Sequence, residues 1–167
     1  MSKVKILSTQ QIQQKINRIA FEIFENNFNE KEIIVVGIEG NGYKFATILV
    51  KKLTEISKIK FTLAKLTLNK QNPWKDDVEL SLDLKKANNK IIILVDDVLN
   101  SGKTLMYAVK LFLNQPLKKL NTVVLVDRSH TNFPVKADFV GLRLSTTLQN
   151  HIEADFSKTG KEEVYLV

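Results

Sequence analysis

The sequence predicts an α/β fold in which helices flank a central parallel sheet of about five strands. Short apolar runs alternate along the chain with segments whose apolar residues recur at helical spacing. The run at residues 91–95 is apolar on both faces, which is typical of a strand in a parallel sheet buried between helix layers. The 167 residues are 44% hydrophobic and contain no internal repeat or linker, so residues 1–167 are predicted to form one domain with a substantial core.

The first predicted element is a helix. Ser8 followed by Gln11 resembles a capping box, and the segment that ends near Asn26 has one apolar face. That face consists of Ile12, Ile16, Ile19, Ala20 and Ile23.

A turn rich in glycine follows the first predicted central strand, at residues 32–37. Gly37, Gly40 and Gly42 leave room for the backbone to approach an anion. The helix predicted from about Tyr43 adds backbone amides at its start. This turn is therefore a candidate anion site.

The next predicted strand, at residues 60–68, precedes a polar segment with the sequence NKQNPWKDD at residues 69–77. This segment contains Pro73 and the only tryptophan, Trp74. Its composition predicts a mobile loop at the surface.

Residues 91–105, with the sequence IIILVDDVLNSGKTL, contain the densest group of candidate ligand-binding side chains. The apolar run predicts a buried strand over 91–95 that ends at two adjacent carboxylates, Asp96 and Asp97. Ligand crevices in open parallel sheets lie beyond the carboxyl ends of strands, so both acids fall where a ligand is expected. A carboxylate accepts hydrogen bonds and suits sugar hydroxyls or, through water, a magnesium ion.

The other end of this segment suits a phosphate. A helix is predicted from near Ser101 to Leu113, and its first backbone amides have no partner within the helix. The hydroxyls of Ser101 and Thr104 and the ammonium of Lys103 add hydrogen-bond donors beside these amides. Acids at one end and phosphate donors at the other match a ribose 5-phosphate.

Two other interpretations of this segment compete with the ribose 5-phosphate site. Gly102, Lys103 and Thr104 match the end of the nucleotide-triphosphate loop, but Asp97 stands where that motif requires glycine, and a carboxylate there would repel the anion. The triphosphate loop is therefore excluded. The plainer alternative, a buried strand capped by acids before an ordinary helix, stays open. Three further strands are predicted at residues 122–126, 137–142 and 163–167.

Three motifs carry a family resemblance. The stretch LVDDVLNSGKTL resembles the phosphoribosyl pyrophosphate motif of type I phosphoribosyltransferases, and VGIEGNGYKFA at residues 36–46 is similar to the first active-site loop of that family. Residues 125–141 resemble one branch of it, the bifunctional pyrimidine-operon attenuators that also act as uracil phosphoribosyltransferases. On these motifs the chain is identified as a member of the family, with this branch as the strongest resemblance.

The resemblance implies transfer of the 5-phosphoribosyl group from phosphoribosyl pyrophosphate to a nucleobase with release of pyrophosphate. Uracil is the favoured base, and hypoxanthine or guanine are less favoured. Mg²⁺ is the implied cofactor and a homodimer the implied assembly. The family also implies a loop that closes over the site from residues 69–77, and a small hood over the base formed mainly by residues 143–167.

Two alternative functions stay open. One is a nucleotide-sensing, RNA-binding regulator of pyrimidine genes with weak or no enzymatic activity. The other is a relative that merely binds nucleotides.

The resemblance also assigns roles to residues. The predicted catalytic residues are Asp96, Asp97 and Asn100, and the two aspartates are also the predicted metal ligands. Phosphoribosyl pyrophosphate is predicted to bind at Glu39, Gly40, Asn41, Gly42, Asp96, Asp97, Asn100, Ser101, Gly102, Lys103 and Thr104. The predicted base contacts are Asp127, Arg128, Phe139 and Val140.

Two departures from the family pattern bear on the base. Purine-using relatives commonly have an aspartate at the position of Asn100, where it accepts a proton from the base, and an amide cannot do so. They also have a lysine at the position of Asp127, where it donates a hydrogen bond to the purine carbonyl. Asp127 would accept a hydrogen bond instead. Both departures argue against efficient purine chemistry.

Composition and the length of the apolar runs bear on the possible ligands, the chemistry and the cellular location of the protein. The net charge of +7 suits a polyanionic substrate or RNA, although the scattered lysines equally suit a solvated basic surface. The absence of cysteine excludes disulfides, thiolate metal sites and cysteine nucleophiles. The apolar runs are far shorter than the roughly 18 residues of a membrane helix, and the first residues lack the apolar segment of a signal peptide, so a cytoplasmic protein without a membrane partner is expected.

Overall fold

The computed structural model, which describes residues 3–145 and 150–167, contains a six-stranded sheet in which five neighbouring strands are parallel. The elements follow the chain in the order β1 (Val4–Leu7), α1 (Thr9–Glu25), β2 (Glu32–Ile38), α2 (Asn41–Ile56), β3 (Lys60–Thr67), β4 (Glu79–Leu80), a 3₁₀ helix (Leu84–Ala87), β5 (Ile91–Leu99), α3 (Lys103–Phe112), β6 (Lys119–Asp127), β7 (Phe139–Arg143), β8 (Ile152–Asp155) and β9 (Glu163–Leu166).

The main sheet has the strand order β4-β3-β2-β5-β6-β7. Only β4, a two-residue edge strand, is antiparallel to its neighbour. Residues of α1 and α2 belong to the core cluster on one face of the sheet, and residues of α3 and the 3₁₀ helix belong to the cluster on the other face. The predicted α/β class with helices on both sides is thereby confirmed. Among the described residues, no helix is long and apolar enough to cross a membrane.

The predicted capping box starts α1. The Ser8 hydroxyl accepts from the Gln11 amide at 3.3 Å, and the Gln11 side chain accepts from the Ser8 amide at 2.9 Å. Because two of the free amides at this end are satisfied locally, the helix can begin at Thr9. All five residues of its predicted apolar face are buried.

The predicted end of β5 at residue 95 is wrong, because the strand continues to Leu99. Strand β6 extends to Asp127 and still pairs with Asp96, Val98 and Leu99 of β5. Backbone pairing does not depend on side-chain polarity, so the strand passes through the two acids that end the apolar run. Two helix starts also differ from the prediction: α2 begins at Asn41 and α3 begins at Lys103.

A second, three-stranded antiparallel sheet is formed by the two ends of the chain, in the order β1-β9-β8. Its Ile152 and Val164 are buried in the core cluster that contains α1 and α2. Strand β8 also contacts β5, so this sheet lies beside the carboxyl end of the main sheet. It occupies much of the segment predicted as a hood, of which residues 146–149 lie outside the described residues. Cover of a base by this sheet stays a prediction.

Candidate active site

A cavity of about 220 Å³ lies at the carboxyl end of β5. Its walls come from β5, the loop before α3, the polar segment at 69–77, β6 and the small sheet. The lining residues are Lys70, Asp96, Asp97, Val98, Leu99, Asn100, Ser101, Gly102, Thr104, Leu105, Val124 and Ile152. The structure thus brings both predicted carboxylates and most of the predicted phosphate loop to one cavity.

Asp96 is buried against the first turn of α2. A Cβ atom at Gly42 would lie 2.7 Å from Asp96 Oδ1 and 3.2 Å from the Val95 carbonyl oxygen, so only glycine permits this approach. Asp96 Oδ1 accepts a hydrogen bond from the Asp97 amide at 3.0 Å. The Lys70 ammonium, from the polar segment, lies 3.7 Å from the same oxygen.

Burial raises the pKa of Asp96 well above its ordinary value of 3.8. The charge of the adjacent Asp97 raises this pKa further, whereas the nearby Lys70 ammonium lowers it. A carboxyl that is costly to ionise in the folded protein reduces stability at neutral pH. The buried Asp96 carboxyl therefore lowers the free energy of unfolding at neutral pH.

We expect Asp96→Asn to raise the melting temperature at pH 8. The pKa of Asp96 is higher in the folded than in the unfolded chain, so ionisation destabilises the fold above both values. This cost disappears as pH falls through the raised pKa, and the gain from asparagine should fade over the same interval. Each kcal/mol changes the melting temperature by about 2–4 °C in a domain of this size. Thermal unfolding from pH 8 to 4, with Glu25→Gln as control, measures the effect; a gain independent of pH would contradict it.

Asp97 is the more accessible of the two acids. It is half-buried and lines both the first cavity and a second groove of about 510 Å³. The second groove also contains Asn41, Lys44 and residues of β8. Asp97 therefore lies between the predicted phosphate loop, residues 101–104, on one side and the first turn of α2 on the other.

The loop before α3 has the geometry of a tight backbone turn. Gly102 adopts φ +82°, in the left-handed region, and a Cβ there would meet Val135 Cγ1 at 2.6 Å. The Ser101 carbonyl accepts hydrogen bonds from the amides of Asn132 and Phe133 at 2.8 and 3.1 Å. The segment after β6 thus supports this loop from behind, and the Thr104 side chain borders the cavity.

Lys103 connects this loop to the polar segment at 69–77. Its ammonium donates to the Gln71 carbonyl oxygen at 3.1 Å and lies 5.4 Å from the centre of the Trp74 ring. Lys70, which belongs to the segment, lies beside Asp96 of the cavity. Two lysines therefore link the segment to the cavity, one from the segment and one from α3. The segment predicted as a mobile loop is in contact with the site in this structure.

Removing the Lys103 ammonium should loosen the segment at 69–77. Lys103→Met removes a hydrogen bond to Gln71 and a cation-π contact with Trp74, each worth about 1 kcal/mol. Tryptic cleavage after Lys70 and Lys75, followed by mass spectrometry, should therefore accelerate on the order of fivefold or more. Lys110→Met, on an exposed position of the same helix, is the matched control. Equal rates in the three proteins would show that Lys103 does not hold the segment.

Only part of the turn after β2 borders the two cavities. Glu39 is exposed and pairs with Lys65 of β3 at 3.2 Å, so its charge is directed to a neighbouring strand. The Asn41 side chain donates to the Ala154 carbonyl oxygen at 2.7 Å and ties α2 to β8. Glu39 and Gly40 line neither of the two cavities described above.

The four predicted base contacts are placed differently from one another. Arg128 follows β6 directly and donates to Asn100 Oδ1 at 3.1 Å, so it lies next to the cavity. Asp127 is buried and accepts from the Ser129 amide at 2.8 Å. Phe139 and Val140 are at the start of β7, where their side chains pack into the two core clusters. None of these four residues lines the cavity itself.

Six residues of the cavity lie outside the predicted site residues, and two of them, Lys70 and Ile152, come from segments in which no site residue is predicted. Lys70 lies in the polar segment, but among 25 basic residues its sequence gives no sign of a contact with Asp96. Ile152 belongs to a four-residue strand whose pairing depends on the far ends of the chain. Only the composition of residues 69–77 could have directed attention to Lys70.

Comparisons with known proteins agree on one family. The family model described as phosphoribosyl transferase domain matches residues 3–157. The bifunctional protein PyrR of Haemophilus ducreyi is 33% identical over 163 residues, which cover 92% of this chain and 89% of the relative. The bifunctional protein PyrR of Fusobacterium nucleatum is 32% identical over 177 residues, covering 99% and 98%. The crystal structure of Trypanosoma cruzi hypoxanthine phosphoribosyltransferase superposes with a TM-score of 0.77 at 16% identity, covering 98% and 95%, which shows the same fold.

Proposed function

Because the chain belongs to the phosphoribosyltransferase family, we propose that it transfers the 5-phosphoribosyl group of phosphoribosyl pyrophosphate to a nucleobase and releases pyrophosphate. Uracil is the favoured base, with hypoxanthine and guanine behind it. The observation that carries the proposal is a single cavity with Asp96 and Asp97 on one wall and the loop 101–104 on another. Carboxylates suit hydroxyls or a metal, and the start of a helix suits a phosphate, so the cavity suits a phosphorylated ribose.

In the proposed reaction a ring nitrogen of the base displaces pyrophosphate from the anomeric carbon of the ribose. Positive charge develops on the sugar as the bond to pyrophosphate breaks. Asp97, which borders both cavities, holds the ribose hydroxyls and stabilises this charge. The amides and hydroxyls of residues 101–104 fix the 5-phosphate, so positioning is a main contribution of the protein.

Phosphoribosyltransferases generally use Mg²⁺ with phosphoribosyl pyrophosphate. The donor set at this cavity fits such an ion, because Asp96 and Asp97 offer carboxylate oxygens, and Mg²⁺ is usually held by one or two carboxylates together with substrate phosphates and water. Within residues 3–145 and 150–167 no group of three or more His, Cys, Asp or Glu side chains could hold a metal by itself. When bound, the ion neutralises charge on the leaving pyrophosphate.

The nucleobase is assigned to the side of the cavity that faces the small sheet. Ile152 of β8 supplies an apolar surface there, and Asn100 supplies a polar side chain at the edge. The small sheet then corresponds to the hood of the family, and a homodimer is the proposed assembly.

Incubation of the protein with Mg²⁺, phosphoribosyl pyrophosphate and each of uracil, hypoxanthine and guanine tests the proposal. Nucleotide formation should be fastest with uracil, as measured by chromatography of the products. A protein that forms no nucleotide from any of these bases would contradict the proposed activity. A protein that binds the nucleotides without forming them would instead support the nucleotide-binding alternative.

A nucleotide-sensing regulator that binds RNA is the second candidate function. Its support is the net charge of +7 and the word bifunctional in the names of the curated relatives. Lys90, Lys118 and Lys119 meet at the amino ends of β5 and β6, although Glu30 and Glu32 pair with two of them. RNA affinity should fall steeply between 50 and 200 mM salt, as expected for phosphate contacts, and should respond to uridine nucleotides. No binding at about 50 mM salt would exclude this function.

A further inference from the structure

Arg128 lies in a fixed position beside the cavity. It is 8% exposed, and its amide donates to the Leu99 carbonyl oxygen at 3.2 Å, which joins the end of β6 to the end of β5. Asn100 follows Leu99 directly and lines the cavity with an exposed side chain. A buried guanidinium is thus held next to a side chain that a ligand can reach.

The contact between these two side chains fixes which end of the amide faces the ligand. Arg128 Nη1 lies 3.1 Å from Asn100 Oδ1. A guanidinium has only donors, so the amide oxygen must face it, and the NH₂ group is left for the cavity. Asn100 therefore directs its NH₂ donor to a ligand and its oxygen to Arg128.

We propose that Arg128 is a positioning residue that makes Asn100 a donor toward the base, and that the site thereby selects pyrimidines with a carbonyl next to the ring nitrogen that takes the ribose. This inference rests on the proposed function, which it deepens by giving a cause for the choice of base. The selected class is the 2-oxopyrimidines, of which uracil is one.

The chemistry of the transfer explains the selection. The proton of the attacking nitrogen passes to a pyrophosphate oxygen, the electron pair that it leaves on the nitrogen forms the new bond to the anomeric carbon, and the electron pair of the broken bond leaves with pyrophosphate. In a 2-oxopyrimidine the negative charge left on the ring by the departing proton spreads onto the neighbouring carbonyl oxygen, and the Asn100 NH₂ group stabilises it there. A purine whose N9 is free to attack carries its proton on N7, and that N–H requires an acceptor.

The test compares kcat/KM for uracil and for hypoxanthine in the wild type and four variants. Arg128→Met frees the amide and should lower the ratio of uracil to hypoxanthine about tenfold, whereas Arg128→Lys, which keeps a donor, should recover part of it. Asn100→Asp keeps the shape and leaves only acceptors, so it should lower the ratio at least as much. Asn29→Asp, an exposed change remote from the site, should leave the ratio unchanged.

A ratio unchanged in both Asn100→Asp and Arg128→Met would overturn the inference, as would an equal loss of activity toward both bases. Asn100 is exposed, so its variant provides the answer even where Arg128→Met fails to fold. Failure of the proposed function is distinguished by the wild-type protein, which would then form no nucleotide. In that case calorimetric affinities for uridine and inosine monophosphates, compared between wild type and Asn100→Asp, test the same preference.

Discussion

Asp97→Asn should lower kcat/KM for nucleotide formation by about 100-fold or more, with little change in melting temperature. Asp97 is the half-buried acid that borders both cavities, so it can reach a ligand that extends from the phosphate loop to the first turn of α2. Asparagine keeps the size of the side chain but removes the charge that favours a positive sugar ring and a magnesium ion. The loss should therefore appear in catalysis and in affinity for phosphoribosyl pyrophosphate together.

Steady-state kinetics and calorimetric binding of phosphoribosyl pyrophosphate with Mg²⁺ measure both effects. Glu25→Gln removes a carboxylate from the exposed end of α1 and controls for the change in net charge. Unchanged turnover and unchanged affinity in Asp97→Asn would refute the assignment of this acid. A loss of affinity alone, in a protein that forms no nucleotide, would fit a sensor that retains the site without the reaction.

The predictable parts of this molecule are those governed by short-range patterns. The helical spacing of Ile12, Ile16 and Ile19 and the capping box at Ser8 locate α1 because both depend on residues within a few positions of each other. The residues of the phosphate loop could likewise be grouped from their sequence, and six of the predicted site residues do line one cavity.

Other features depend on contacts between distant parts of the chain. Strand β5 continues past residue 95 because β6 supplies pairing partners, which no hydropathy pattern records. Lys70 reaches Asp96 because the Asn69 side chain accepts from the amides of Gln71 and Asn72 and folds the segment into a turn. Ile152 reaches the cavity because β8 pairs with β9, which in turn pairs with β1 at the other end of the chain.

Phe139 and Val140 show the limit of motif transfer. Both lie in a stretch that resembles the family, yet β7 starts well below the carboxyl edge of the sheet, level with Val123 and Val124 of β6. Their side chains therefore pack into the core, one on each face of the sheet. The residues of β7 that follow them are the ones closer to the carboxyl edge. A motif indicates the segment, whereas the register of the strand decides which of its side chains reach a ligand.

Gly42→Ala should damage both the fold and the site. The added methyl group would lie 2.7 Å from Asp96 Oδ1 and 3.2 Å from the Val95 carbonyl oxygen, so α2 or Asp96 must shift. Forced packing of this kind costs about 1–3 kcal/mol, and a displacement of about 1 Å in a catalytic site can cost on the order of 100-fold in rate. Melting temperature and kcat/KM should therefore fall together.

Two comparisons isolate the cause of that loss. Gly160→Ala introduces a strained backbone at φ +79° in a place where nothing lies within 4 Å, so it should lower the melting temperature while leaving kcat/KM unchanged. In an Asp96→Ala background the carboxylate oxygen is absent, and Gly42→Ala should then destabilise the protein less than it does in the wild type. An equal cost in both backgrounds would mean that contact with the Asp96 carboxylate is not what requires glycine. A reduced cost would instead show that the first turn of α2 and the Asp96 carboxylate are packed as one unit, so that the proposed pyrophosphate turn and the proposed sugar-binding acids cannot be altered independently.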